Sequence, residues 1–279
     1  MPHNSKMNES FEGDPGSVPA AVRRSRMRQF IASRGYAKVS DLSRELGVSE
    51  VTIRADLSVL ERDDVIVRTH GGAMLADSPS ALESALERSF EAALAASSDE
   101  KRRIGLGAVD LIESGSSVIL DVGTTTTAIA DALLARDDLE DVVLITSSIS
   151  VALVLEPLIP RFTVIVTGGS LRPLQHSLVA PYAADVLATL HADLAFIGCT
   201  GVDAVGGVTN VNLPETEIKR AMRQAAERAV VVADSTKLGR SQLGRIGGPA
   251  DFSLLLTGVE GDAGVVGELA AAGLPTRQL

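Results

Sequence analysis

Six short apolar runs recur through the last two thirds of the chain, with helical stretches between them. They are Ser117 to Leu120, Val142 to Thr146, Thr163 to Thr167, Leu194 to Gly198, Ala229 to Ala233 and Leu254 to Thr257. Strands covered on both faces of a sheet read as continuous apolar runs rather than as alternation, and crossovers long enough to hold a helix make such strands parallel. The pattern predicts an α/β fold with a doubly wound sheet. No internal repeat is evident. Ligands of such sheets bind beyond the carboxyl ends of the strands, so the residues just after each run carry the functional information.

Those residues are unusually polar. After the first run comes Asp121-Val122-Gly123-Thr124-Thr125-Thr126-Thr127, a glycine and four hydroxyls ahead of a helix expected from about Thr126 to Ala135. Gly123 permits a tight turn, and a helix N-terminus offers N–H groups and positive potential to an anion, with the hydroxyls as further donors. Two readings stay open: a phosphate cradle, or threonines that only cap a helix. The segment lacks the lysine of the nucleotide P-loop, and no Gly-x-Gly-x-x-Gly opens the first βα unit. A small phosphorylated ligand therefore fits better than ATP or a dinucleotide.

Later strand ends bring Thr146-Ser147-Ser148, Gly168-Gly169-Ser170-Leu171-Arg172, Gly198-Cys199-Thr200-Gly201-Val202-Asp203 and Ala233-Asp234-Ser235-Thr236-Lys237. Arg172, Lys219 and Lys237 are candidates to neutralise a phosphate, and Asp121 and Asp203 to accept hydrogen bonds from sugar hydroxyls. With Gly123, Thr124, Thr125, Thr126, Ser147 and Gly169 they form the expected sugar-phosphate pocket. His176 reads as an exposed loop histidine and His191 as a helix end.

The N-terminal part has a different rhythm. Leu42, Leu46, Val48, Ile53, Leu57 and Leu60 fall on the inner faces of two short crossed helices, with Gly47 at the turn and Ser40 and Ser49 placed to cap each helix. A β-branched run, Val65 to Thr69, and the pair Gly71-Gly72 then read as a small ribbon. Together they make a winged helix-turn-helix. Its second helix turns Glu50, Thr52, Arg54 and Ala55 outwards near the end that enters a major groove, with Ser49 ahead of them. Arg68 and His70 flank the ribbon, within reach of phosphates or a minor groove. Residues 20–80 carry ten Lys/Arg against eight Asp/Glu, in a chain whose net charge is −10. The basic balance is confined to this module. Arg23, Arg24, Arg26 and Arg28 cluster on its first helix, either as phosphate contacts or as a solvated face.

At 279 residues with 45% apolar content, the chain suits two domains. The expected division is a disordered tail over 1–19, the winged helix-turn-helix over 20–76, an alanine-rich linker helix over 77–98 and a sensing domain over 99–279. No long apolar stretch or signal-peptide core appears, which points to a cytoplasmic protein without membrane contact. The single cysteine, Cys199, excludes an internal disulfide or a cysteine-based metal cluster, and it is expected to pack as a small apolar residue.

Several motifs in order resemble the DeoR-type bacterial transcriptional regulators, also called the glycerol-3-phosphate repressor type. They are Ser49-Glu50-Val51-Thr52-Ile53-Arg54-Ala55-Asp56-Leu57, Arg68-Thr69-His70-Gly71-Gly72-Ala73, Asp121-Val122-Gly123-Thr124-Thr125-Thr126, Gly168-Gly169-Ser170-Leu171-Arg172-Pro173, Lys219-Arg220-Ala221-Met222 and Ala233-Asp234-Ser235-Thr236-Lys237. The resemblance spans about Arg26 to Thr257. It implies a repressor of sugar or polyol catabolism genes and a C-terminal domain similar in fold to ribose-5-phosphate isomerase. It also implies a phosphorylated sugar effector, homo-oligomers (dimer or tetramer) on double-stranded operator DNA, and no cofactor or metal.

This sequence departs from the family pattern at three places. Ala55 follows Arg54 where the family has a second arginine, so the operator sequence does not carry over from relatives. Asn210-Val211-Asn212-Leu213-Pro214 and Leu174-Gln175-His176 replace a threonine-proline stretch and a smaller, more polar loop; both are expected to face the ligand. The rival reading is an active sugar-phosphate isomerase fused to a helix-turn-helix. Isomerases of this resemblance place two carboxylates between Gly198 and Asp203. Here Thr200 stands at the first position, which leaves Asp203, with Glu215 or Glu217 as a base.

Overall fold

A computed structural model describes residues 20–34, 37–63, 65–69, 72–75, 87 and 89–279. The expected tail, most of the linker helix, and His70 and Gly71 lie outside the described residues. The chain divides into two compact units, residues 1–85 and 86–279.

The first unit contains α1 (Ala20–Arg34), β1 (Ala37–Lys38), α2 (Val39–Leu46), α3 (Glu50–Arg62), β2 (Ile66–Thr69) and β3 (Gly72–Leu75). The strands form an antiparallel sheet in the order β1-β3-β2. Met27, Ile31, Leu42, Ile53, Leu57, Leu60, Ile66 and Ala73 make the core, with Leu46 and Val48 packed against its rim. Each large aliphatic side chain buried there contributes roughly 1.5–3 kcal/mol. α2 stops at Gly47, whose φ of 66° is the left-handed cap that glycine adopts without a Cβ penalty. The Ser49 side chain accepts from Thr52 N at 3.2 Å and fixes the start of α3. Ser40 does not cap α2. The helix begins at Val39, directly after the extended Lys38 that ends β1, so Ser40 falls inside the first turn.

In the second unit, α4 (Phe90–Ala95) and α5 (Ser98–Val109) precede β4 (Ser117–Leu120), α6 (Thr124–Leu133), β5 (Val143–Thr146), α7 (Ile149–Leu155) and β6 (Thr163–Val166). Of the linker helix expected over 77–98, the described part is α4, which ends at Ala95; after Ser97, with its left-handed φ of 52°, α5 begins at Ser98 and continues to Val109. A hairpin of β7 (Ser170–Arg172) and β8 (Ser177–Val179) leads to α8 (Tyr182–Leu187) and β9 (Ala192–Gly198). Next come β10 (Gly201–Asp203), β11 (Gly207–Asn210), α9 (Leu213–Gln224), β12 (Ala226–Val232), β13 (Gly244–Gly247), β14 (Leu254–Thr257), α10 (Ala263–Ala271) and β15 (Thr276–Gln278).

The main sheet is parallel, ordered β15-β14-β12-β9-β4-β5-β6, and contains all six expected strands. Successive side chains alternate between two cores: Val118, Leu120, Phe196 and Val230 on one face, Ile119, Ala195, Ile197 and Val231 on the other. Burial on both faces is why the runs are continuously apolar. From β4 the chain winds to β5 and β6 on one side and, after returning at β9, to β12, β14 and β15 on the other. The switch point therefore lies between β4 and β9, where a doubly wound sheet opens a ligand crevice.

Candidate functional site

On the first unit, α3 presents Glu50, Val51, Arg54 and Ala55 to solvent from its N-terminal half, with Thr52 half-buried. Arg54 Nη2 donates to Glu50 Oε2 at 2.7 Å across one helical turn, an exposed pair weak enough to open for a base edge. Ser49 Oγ lies 2.9 Å from Thr52 Oγ1, so both hydroxyls serve the cap. Val51 is 73% exposed, and the sequence reading passed over it; an exposed apolar side chain beside Arg54 suits a thymine methyl. Its signal was an apolar residue off the inward stripe.

Arg68 holds the wing to α3: its Nη1 donates to Ser58 Oγ at 2.9 Å and lies 3.8 Å from Glu61. The arginine cluster on α1 divides in two. Arg23 and Arg24 turn to the buried Asp56 of α3, at 2.5 and 3.7 Å, whereas Arg26 and Arg28 are exposed. Half of the arginine cluster is thus an internal tie, neither a phosphate contact nor a solvated face, because Asp56 sits on the buried face of α3 and needs a counter-charge.

On the second unit, a cavity of about 300 Å³ opens over the carboxyl ends of β4, β9 and β12, within the size range of small-molecule sites. Gly123, with φ of 136°, lets the chain turn into α6, which starts at Thr124, two residues earlier than expected. Thr126 and Thr127 hydroxyls both donate to Gly123 O at 2.8 Å. This part is capping. The Thr124, Thr125 and Thr126 N–H groups, by contrast, have no acceptor among the described residues, and all three residues line the cavity. A helix N-terminus in that state has donors and positive potential to offer an anion.

Lys237 and Lys219 also line the cavity, as do Lys101 and Arg240, which the sequence reading missed. Lys101 is buried, with Nζ donating to the carbonyls of Ala93 and Ala96 at the end of α4, each at 2.5 Å. Its signal was a lysine one turn into a helix otherwise facing the core. Gln175, Asn210 and Val211 reach the cavity, as expected of the two divergent segments.

Beneath Gly198 lies a buried pair. Lys219 Nζ donates to Asp121 Oδ2, which also accepts from Gly198 N at 2.8 Å, while Oδ1 accepts from Val122 N at 2.7 Å. Burial pushes the Asp121 pKa up, with Lys219 pulling against it. Burial likewise disfavours the Lys219 ammonium, but Asp121 and then Glu215 outweigh it and lift lysine above its ordinary value. Asp121 therefore holds Lys219 from below and does not line the cavity.

Four further expected residues are absent from the lining. Arg172 donates from Nη1 to Glu215 Oε1 and from Nη2 to Glu87 Oε2 at 2.9 Å, so its charge is engaged by carboxylates. Asp203 accepts from Val205 N and Gly206 N at 2.9 and 2.7 Å, closing the turn between β10 and β11. Gly169 is where the hairpin crosses itself: a Cβ there would stand 2.1 Å from Val179 O. Ser147 is buried with an unpartnered hydroxyl. His176, expected as an exposed loop residue, is a joint: Ser150 Oγ is 2.7 Å from its Nδ1 and the Phe90 ring 5.0 Å away.

The remaining wall is acidic. Glu87 and Glu215, both buried, line the cavity. Burial and then the neighbouring Glu215 push the Glu87 carboxyl up to about 7, against the pull of Arg172. Loss of solvation pushes the Cys199 thiol up to about 12, which favours its neutral form. Thr200, at the place where isomerases carry an acid, receives Val211 N at 2.8 Å. Among the described residues no group of side chains could hold a metal ion, and no helix is long and apolar enough to cross a membrane.

The DeoR-like helix-turn-helix domain matches residues 23–79 and the DeoR C terminal sensor domain residues 96–259. The chain is 32% identical over 235 residues to the HTH-type transcriptional repressor CsqR of Escherichia coli (strain K12), covering 84% of this chain and 86% of that one. It is 30% identical over 240 residues to the glycerol-3-phosphate regulon repressor of Haemophilus influenzae, covering 85% and 89%. Among solved structures, ribose 5-phosphate isomerase A from Methanocaldococcus jannaschii aligns over 50% of this chain and 54% of its own, at 19% identity and a TM-score of 0.37, too distant to carry an argument about ligand or chemistry. The two domain matches, in order on one chain, and the relatives that share them across most of their length show that this protein belongs to the DeoR family of DNA-binding transcriptional regulators and is not an enzyme.

Proposed function

We propose that this regulator is a cytoplasmic repressor of sugar or polyol catabolism genes that releases its operator when a phosphorylated sugar occupies the cavity at the switch point. The observation that carries the reading is the open first turn of α6. Three N–H groups without an acceptor among the described residues, the Thr124 and Thr125 hydroxyls and the cationic Lys101 and Lys237 belong to residues that line the cavity. A phosphoryl group satisfies all of these at once.

DNA is held by homo-oligomeric pairs of first units on repeated operator half-sites. Arg54, Val51, Thr52 and Glu50 read base edges, and Arg26, Arg28 and Arg68 contact the backbone. The effector favours an arrangement in which the paired units no longer match the half-site spacing. For tenfold release the ligand must prefer that arrangement by about 1.4 kcal/mol.

Thermal unfolding of the full chain with a panel of ligands tests the pocket. Sugar phosphates raise the melting temperature, while the parent sugars, ATP and NAD do not. Equal shifts from sugars with and without phosphate would remove the phosphate from the reading. A protein held on DNA by the ligand instead would make it a corepressor.

A further inference from the structure

Part of the cavity lining has a charge pattern opposite to that of the α6 N-terminus. Glu87 is 3% exposed in its side chain and engages Arg172 through Oε2 alone; Oε1 accepts no hydrogen bond among the described residues, although Glu87 forms part of the cavity wall. Glu215 takes Arg172 and Ser177 on Oε1, while its Oε2 has only Asn210 Nδ2 at a long 3.5 Å. The same Arg172 therefore serves both carboxylates. Lys219, the other cation beside them, is occupied by Asp121. With Glu87 ionised, these side chains set three buried carboxylates against two cations, and a buried carboxylate in that state is costly unless a partner supplies the missing countercharge.

We propose that the effector is an amino sugar phosphate, whose phosphate sits at the α6 N-terminus and whose free ammonium bonds Glu87 Oε1 and Glu215 Oε2. The inference rests on the reading of the cavity as a sugar-phosphate site. An ammonium supplies both the countercharge and donors for the two under-used oxygens. A hydroxyl at the same carbon supplies one donor and no charge, and an N-acetyl group one donor with added bulk. Neither neutralises the wall.

Isothermal titration of the full-length protein with glucosamine 6-phosphate, galactosamine 6-phosphate, glucose 6-phosphate, N-acetylglucosamine 6-phosphate and inorganic phosphate tests this. At least one amino sugar phosphate binds ten times or more tightly than its hydroxyl and N-acetyl counterparts, and Glu87→Gln brings this preference to within about twofold. Arg172 retains Glu215 in that variant, and the comparison within the wild type stands even if the variant is unstable. Equal or tighter binding of the hydroxyl or N-acetyl sugar phosphates overturns the amine assignment alone. Absence of binding by every sugar phosphate overturns the cavity reading with it.

Discussion

The two units handle charge in opposite ways. In the first, the side chains that face outward from α3 make loose, solvated pairs such as Arg54 with Glu50, and one buried tie, Asp56 with Arg23 and Arg24, holds the scaffold. In the second, Asp121, Lys219, Glu215, Glu87 and Arg172 are drawn inward around the cavity. An interface that must exchange water for a polyanion keeps its charges mobile and exposed. A pocket that must tell one small molecule from another fixes them where solvent cannot screen them. Substitutions should therefore act on binding in the first unit, and on stability and selectivity together in the second.

The largest expected effect tests that contrast inside the second unit. Lys219→Met leaves Asp121 buried without its cation and costs roughly 3–5 kcal/mol of stability, read from chemical denaturation; a loss below about 1 kcal/mol would mean the pair is wetter than described. Asp56→Ala removes the buried tie between α3 and α1 of the first unit, at about 3 kcal/mol. It abolishes DNA binding while the ligand-induced melting shift of the second unit persists. Thr125→Ala with Lys237→Ala leaves operator affinity intact and weakens sugar-phosphate binding roughly 10- to 100-fold, in line with charge-assisted hydrogen bonds of about 1.5–3 kcal/mol. Arg54→Ala costs about 1–3 kcal/mol on operator DNA and much less on random DNA, measured by competition; an equal loss on both would make Arg54 a backbone contact.

The smallest effect is a pH dependence. Glu87 lies at about 7 in the folded protein against 4.5 ordinarily, so between those values the native state holds a proton that the unfolded chain has released. Stability therefore falls as pH rises through this window and levels off above about 7. The groups that face Glu87 are Glu215, Arg172 and Lys219, and the first of these sets the direction together with burial. From pH 6 to pH 8 the loss amounts to about 1 kcal/mol. Glu87→Gln removes it, and an unchanged slope in that variant would assign the titration to another group.

Much of the framework is legible because it rests on periodicity. The six apolar runs mark six of the seven main strands, and the inward stripe from Leu42 to Leu60 marks the two crossed helices. The strand Thr276–Gln278 was missed because an edge strand of Thr, Arg and Gln needs only its backbone to pair. The site divides along the same line. Local features were readable: the Gly123 turn, the threonines of the first turn of α6, the Ser49 cap. What long-range pairing decides was not. Arg172 reads as a phosphate ligand until Glu87 and Glu215, 85 and 43 residues away in sequence, are seen to engage it. Asp203 reads as an acid just beyond the strand Leu194 to Gly198, yet it ends β10 of a separate small sheet, where its carboxylate closes the turn to β11. Lys101 went unread because its role depends on where α4 ends.

The central claim is that occupancy of the cavity in the second unit controls DNA binding by the first. Fluorescence anisotropy of the full-length protein on its own upstream intergenic DNA, against random DNA and with a panel of sugar phosphates, tests it most directly. The account predicts specific binding that one phosphorylated sugar weakens tenfold or more in the wild type and leaves unchanged in the Thr125→Ala, Lys237→Ala variant. Specific binding that no cavity ligand alters, or that the variant loses to the same ligand as the wild type does, would contradict it.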